Sequence, residues 1–170
     1  LADGVVVARC VGPMEWGPRA LGNRSILASP FDVSINDWLN EMLQRSEFMP
    51  FAPVVRLEDV DRWFEGGQKA LASRRFMTVC FDVTPEFKKR CPAAVHVDGT
   101  ARPQVVSASD NPDLHQLLTE FGDRTGTPVL INTSFNMHEE PMVRTPTDAI
   151  RAWRASGIPA LWLGRHLLRQ

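Results

Sequence analysis

A chain of 170 residues has the size of one domain and enough length to bury a core. Hydrophobic residues make up 44% and charged residues 23%, an ordinary globular balance, and the net charge of -1 excludes an overall basic field that would draw the protein to nucleic acid or to an anionic membrane. No apolar run approaches the roughly 20 residues that a membrane span needs, and no signal peptide is visible.

Sixteen of the nineteen lysine and arginine residues are arginines. Arginine presents a planar fork that matches phosphate or carboxylate through two bonds. High-GC codon usage produces the same bias. Cys10, Cys80 and Cys91 have no metal-like spacing, and an odd, sparse set of thiols suits a reducing cytoplasm. The chain starts at Leu1 without an initiator methionine, so it reads as a piece of a longer protein.

In chain order, the β-branched run 4–10, "GVVVARC", predicts a strand. The stretch 17–25, "GPRALGNRS", predicts a loop. Its glycines let a ligand approach the backbone, and Arg19 and Arg24 offer charge, so it reads either as an anion site or as a turn with two solvated arginines. Ser34 is expected to cap a helix whose apolar stripe is Ile35, Trp38, Leu39, Met42 and Leu43, with Asp37 at N3. "FMPFAPVV" reads as extended. Val60, Trp63 and Phe64 suggest one or two helical turns stopped by Gly66 and Gly67.

"RRFMTVCFDV", 74–83, is expected to be a buried strand with Cys80 in the core. Residues 84–103 carry three prolines and a glycine and read as loop, and "PQVVSA" reads as a strand. Asn111 and Pro112 open a helix with Leu114, Leu117, Leu118 and Phe121 on one face, ended by Gly122 and Gly126. "TPVLINTSFN" is a strand running into a polar turn. Thr145, Pro146 and Asp148 cap a further helix closed by Gly157, and "PALWLG" is a last strand. Strands and helices interleave, so the expected class is α/β, one sheet covered by helices in a single domain.

Polar residues just past the carboxyl end of a strand are where open α/β sheets place ligands. "NTSFN" puts Asn132, Ser134 and Asn136 there. The same residues also suit a local Asx turn. His96 and Asp98 are too few for a metal site, so none is assigned. Walker, Rossmann, nucleophile-elbow and zinc patterns are absent, and no local pattern supports a catalytic triad.

Five stretches, "MEWGPRALGNRSILASP", "INDWLN", "EFMPFAPVV", "VDGTARPQVV" and "PVLINTSFNMHEEPMVRTPTDAI", resemble in this order the C-terminal domain of the nodulation and antibiotic-type carbamoyltransferases. The resemblance covers nearly all of residues 1–170. It implies a YrdC-like fold, an open twisted mixed sheet flanked by helices. It implies a transferase domain that binds ATP with Mg2+ and carbamoyl phosphate and makes carbamoyl adenylate. An N-terminal actin-like transferase domain, not visible in this chain, would then pass the carbamoyl group to an acceptor hydroxyl on a sugar or antibiotic.

The resemblance assigns Arg19, Arg45 and Arg102 to catalysis. With the loop reading it assigns Arg24, Asn132, Ser134 and Asn136 to binding the nucleotide and carbamoyl phosphate. The sequence departs from the family pattern at Leu43 and Met49, where basic residues are expected. Such a site stabilises charge and positions reactants, and it needs no nucleophile. The alternative is a non-catalytic module of the same fold, binding a nucleotide or RNA or buttressing its neighbour.

Overall fold

A computed structural model describes residues 1–44, 51–66 and 71–170. Its strands are β1 (Val7–Cys10), β2 (Arg24–Ala28), β3 (Ala52–Arg56), β4 (Phe81–Asp82), β5 (Thr100–Ala101), β6 (Gln104–Val106), β7 (Val129–Ser134), β8 (Ala160–Leu163) and β9 (His166–Arg169). Its helices are α1 (Ser34–Met42), α2 (Val60–Trp63), α3 (Leu71–Arg74), α4 (Pro85–Arg90), α5 (Pro112–Thr125) and α6 (Pro146–Ser156). Seven strands form one open mixed sheet in the order β6-β3-β7-β2-β1-β8-β9, and β4 and β5 pair separately. The pairs β3/β6 and β1/β8 are parallel, and the other pairs of the large sheet are antiparallel.

Alternation along each strand sends successive side chains to opposite faces. One face carries Ala8, Ile26, Val55, Val105, Val129 and Ile131 and is covered by Leu39 of α1, Trp63 of α2, Phe87 of α4 and Trp153 of α6. The other carries Leu27, Val54, Val106 and Leu130 and is covered by Leu114, Leu118 and Phe121 of α5. α5 begins where expected: Asn111 caps it by accepting a bond from the Leu114 amide, and Gly126 closes it in the left-handed conformation, whereas Gly122, expected to help end it, lies within the helix. α6 has a full capping box between Thr145 and Asp148 and ends at Gly157.

Four sequence expectations are corrected. Arg24 and Ser25, expected at the end of a loop, begin the buried strand β2, because Ser25, Ile26 and Leu27 sit in the middle of the sheet between β1 and β7. The segment 74–83 is not a core strand. Phe81–Asp82 pairs with β5 in a small second sheet, Val83 makes a single antiparallel bridge to Phe64, and Cys80 is exposed. The segment pairs with neither edge strand of the large sheet, β6 or β9. Ser34 is the first residue of α1 rather than its cap; Val33 stands at the N-cap without a side-chain bond, and the Asp32 carboxylate accepts the Ser34 amide at 2.9 Å. Residues 85–90 are helical, started by the Thr84 hydroxyl accepting the Phe87 amide. The end of the chain also adds a strand, β9, that no expectation named.

Gly22 sets the seat of α5 against the loop before β2. Its φ is +116°, and a Cβ there would lie 2.5 Å from Leu114 Cδ2. Gly22→Ala therefore adds both backbone strain and overpacking, and we expect it to lower the unfolding free energy by about 2 kcal/mol. Urea denaturation of the variant against the parent chain checks this.

Candidate functional site

The apolar coverage of the α5 face stops short of one end of the sheet. There the register aligns Arg9 with Ser25 and Ser25 with Ser134 in one row, while Asn132 sits opposite Leu27 in the next. Polar side chains thus continue the face that Leu27 and Leu130 begin. The loop 17–23 lies against these residues, and side chains grip its backbone from several directions.

Glu15 Oε1 accepts the amides of Leu21 at 2.7 Å, Asn23 at 2.6 Å and Arg24 at 3.2 Å. Gln104 Nε2 donates to the Leu21 carbonyl at 2.7 Å. Asn132 Nδ2 donates to the Ala20 carbonyl at 3.1 Å and to Gln104 Oε1 at 2.6 Å. The Ser25 hydroxyl accepts the Gly22 amide at 2.9 Å. Arg9, fully buried and lying 4.8 Å from the Trp162 ring centroid, donates to the Gly22 carbonyl. Burial lowers the Arg9 pKa, opposed by Asp113 and Glu15.

This framework presents Arg19 to a cavity of about 400 Å3 lined by Trp16, Pro18, Arg19, Leu21, Phe76, Met77, Thr78 and Arg102. Among the described residues neither Arg19 nor Arg102 donates a hydrogen bond or makes an ion pair, and Arg102 Nε is a buried atom without a partner. Arg102 has its pKa lowered by burial and by the Arg19 charge, opposed by Cys80. Two guanidiniums that repel each other across an open cavity form a site for an anion. Trp16 is fully exposed and Phe76 is half exposed, so the cavity also has flat aromatic walls. A second cavity of about 230 Å3 shares Leu21 and Phe76 with the first and adds Glu15, Asn23, Gln104, Asp110 and Asn111.

The residues singled out from sequence separate into groups. Arg19 and Arg102, 83 positions apart in the chain, come together at one cavity. Asn132 lies behind that cavity, with its amide nitrogen on the loop and on Gln104. Ser134 ends β7, half-buried beside Ser25, and does not line the cavity. Asn136 shapes the next turn by donating to the carbonyls of Met137 and Glu140, both at 3.0 Å.

Arg24 departs from the expectation of an anion site shared with Arg19. Its guanidinium points into protein and donates to the carbonyls of Val11, Gly12, Asn23 and Arg144, because β2 turns it away from the cavity and toward the start of α6. Arg45 and Met49 lie outside the described residues. Leu43 is buried in the core, and its carbonyl accepts the His138 amide at 3.2 Å. Glu15, Trp16, Phe76 and Gln104 were not singled out from sequence. Glu15 and Trp16 stand inside the motif that carries Arg19, and Gln104 stands two places after Arg102.

Among the described residues no cluster of three or more His, Cys, Asp or Glu is placed to hold a metal, and no helix is long and apolar enough to cross a membrane.

Residues 1–170 match the family described as "Carbamoyltransferase C-terminus". The chain belongs to that family. It is 38% identical over 175 residues to the nodulation protein NolNO of Sinorhizobium fredii, covering all of this chain and 25% of that protein. It is 39% identical over 164 residues to the 3'-hydroxymethylcephem-O-carbamoyltransferase of Amycolatopsis lactamdurans, covering 96% of this chain and 30% of that enzyme. The chain thus spans between a quarter and a third of these relatives. In architecture it is similar to full-length HypF, solved with phosphate and nucleotide bound, at a TM-score of 0.64 and 18% identity, over 97% of this chain and 23% of HypF. That likeness carries the fold.

His96, next to the site, reports on its charge. Its ring Nδ1 lies 3.1 Å from the Thr100 hydroxyl and 4.0 Å from Cys80 Sγ. Burial lowers its pKa, Asp98 opposes this, and the Arg102 charge adds to the lowering. A lowered folded-state pKa means the unfolded chain binds the proton more readily. This contribution to stability is therefore present above the unfolded value of about 6.5 and falls away as the pH drops below it. Removing the Arg102 charge by Arg102→Ala is expected to raise the His96 pKa, which an NMR titration of the ring proton measures.

Proposed function

We propose that this domain makes carbamoyl adenylate for an O-carbamoyltransferase. It would bind ATP with Mg2+ together with carbamoyl phosphate. The observation that carries the reading is the meeting of Arg19 and Arg102, neither bonded to protein, at one aromatic-walled cavity. Membership of the carbamoyltransferase family supplies the chemistry, and the 3'-hydroxymethylcephem enzyme among its relatives names a hydroxyl acceptor. HypF, with the same fold, was solved with nucleotide and phosphate bound.

In the proposed reaction a carbamoyl oxygen bonds to the α-phosphorus of ATP, and the bond from that phosphorus to the β-phosphate bridge breaks. That oxygen belongs to carbamate, which water frees by breaking the phosphorus–oxygen bond of carbamoyl phosphate and taking its phosphoryl group as inorganic phosphate, so ATP, carbamoyl phosphate and one water give carbamoyl adenylate, pyrophosphate and inorganic phosphate. Arg19 and Arg102 hold phosphate oxygens and stabilise charge as it moves onto the leaving group. Trp16 and Phe76 offer planar surfaces for the base. Ser134 and Asn136 do not line this cavity and carry no part of the reading, and Arg45 lies outside the described residues. Mg2+ arrives on the triphosphate. A separate N-terminal domain, carried by the longer protein, transfers the carbamoyl group to a sugar or antibiotic hydroxyl.

Isothermal titration of the 170-residue chain with a non-hydrolysable ATP analogue and Mg2+ tests the site. A charge-assisted hydrogen bond contributes about 1.5 to 3 kcal/mol, so Arg19→Ala and Arg102→Ala should each weaken binding by about ten- to a hundredfold. The analogue should also change Trp16 fluorescence, and Trp16→Phe should remove that change. Equal and weak binding by the parent chain and both arginine variants would discard the site.

A further inference from the structure

Arg19 is exposed and donates no hydrogen bond among the described residues, yet the site needs it opposite Arg102. What orients it is the backbone that follows. Glu15 Oε1 gathers three amides, those of Leu21, Asn23 and Arg24, on one oxygen within 2.6–3.2 Å. The carbonyl of Leu21 is held from the opposite side by Gln104, and the carbonyl of Ala20 by Asn132. Each grip comes from a different part of the chain, and together they anchor the two residues directly after Arg19. Glu15 itself is not among the residues lining the Arg19–Arg102 cavity.

We propose that Glu15 is a positioning residue, one that binds no phosphate and acts on the nucleotide only through Arg19, by clamping the loop so that this guanidinium faces Arg102. The proposal rests on the nucleotide reading of that cavity. A carboxylate suits this task because it accepts several amides at once and matches their partial positive charge. A short side chain at position 15 would leave three amides beside the cavity without their acceptor, and the loop could relax.

The test is a double-mutant cycle on the 170-residue chain, read as the dissociation constant of the non-hydrolysable ATP analogue with Mg2+. Glu15→Ala should weaken binding by about tenfold, the loss that follows when an arginine contact is displaced. Glu15→Gln keeps an acceptor oxygen and should recover most of the affinity. In an Arg19→Ala background, Glu15→Ala should change affinity by less than about twofold, because its route to the ligand is already gone. Gln104→Ala, gripping the same loop from the other side, should show the same dependence on Arg19.

Losses from Glu15→Ala and Arg19→Ala that multiply would overturn the proposal, as would unchanged affinity in Glu15→Ala. If Glu15→Ala does not fold, the cycle is run with Glu15→Asp, which keeps the charge but draws the carboxylate back from the amides, and multiplying losses there overturn it equally. A parent chain that fails to bind the analogue refutes the nucleotide reading and this proposal with it. A parent chain that binds, with multiplying losses, refutes the clamp alone.

Discussion

One carboxylate oxygen organises the loop that carries Arg19. Glu15 Oε1 takes the amides of Leu21 and Asn23 from the loop and that of Arg24 at the start of β2. Backbone polar groups beside a packed interior must be bonded, and a loop can meet that need only through side chains or water. Here side chains do it. Gln104 and Asn132 take carbonyls, Ser25 takes an amide and Arg9 reaches the Gly22 carbonyl. These bonds hold the loop backbone on the sheet beneath it, beside the cavity that Arg19 and Arg102 line.

The sheet makes this possible by being unevenly dressed. One face is apolar along its whole width and packs α1, α2, α4 and α6 into the larger core. The other is apolar only under α5. Past the helix N-terminus its strands carry Arg9, Ser25, Asn132 and Ser134 instead. Buried polar groups of this kind stabilise little by themselves and cost much when unpaired. Their arrangement here serves the geometry of a site more than the stability of the fold. The left-handed Gly22 and the cap residue Asn111, which donates to Asn23 Oδ1 at 3.0 Å, tie the end of α5 to the same loop.

Arginine appears in this structure in two distinct employments. Arg9, Arg24 and Arg74 are buried and hold carbonyls or aromatic rings; Arg74 lies 3.5 Å from the Phe81 ring centroid and donates to the Gly66 carbonyl. Arg19 and Arg102 have no such partners and look onto a cavity. The motif "GPRALGNRS" contains one of each kind, five positions apart. Nothing in the local sequence distinguishes them. The difference is that Arg24 lies in a central strand, whose pleat directs it toward the start of α6, whereas Arg19 lies in a loop.

The amino-acid sequence by itself determined the α/β class, helices α5 and α6 with their caps and glycine stops, and strands β1, β6, β7 and β8. These depend on local patterning: apolar period, an Asn-Pro or Thr-Pro start, a glycine end. Its ordered motifs also determined the family. Only the tertiary structure decided that "RSILA" is a central strand and that the apolar 74–83 segment, with Cys80, lies outside the large sheet. Both outcomes depend on which strands pair across long separations, information that no single segment holds. The same holds for the site. Arg19, Arg102 and Asn132 were legible as residue types, but Glu15 and Gln104 were not, because a hydrogen bond to a distant backbone amide or carbonyl leaves no periodic trace in a chain.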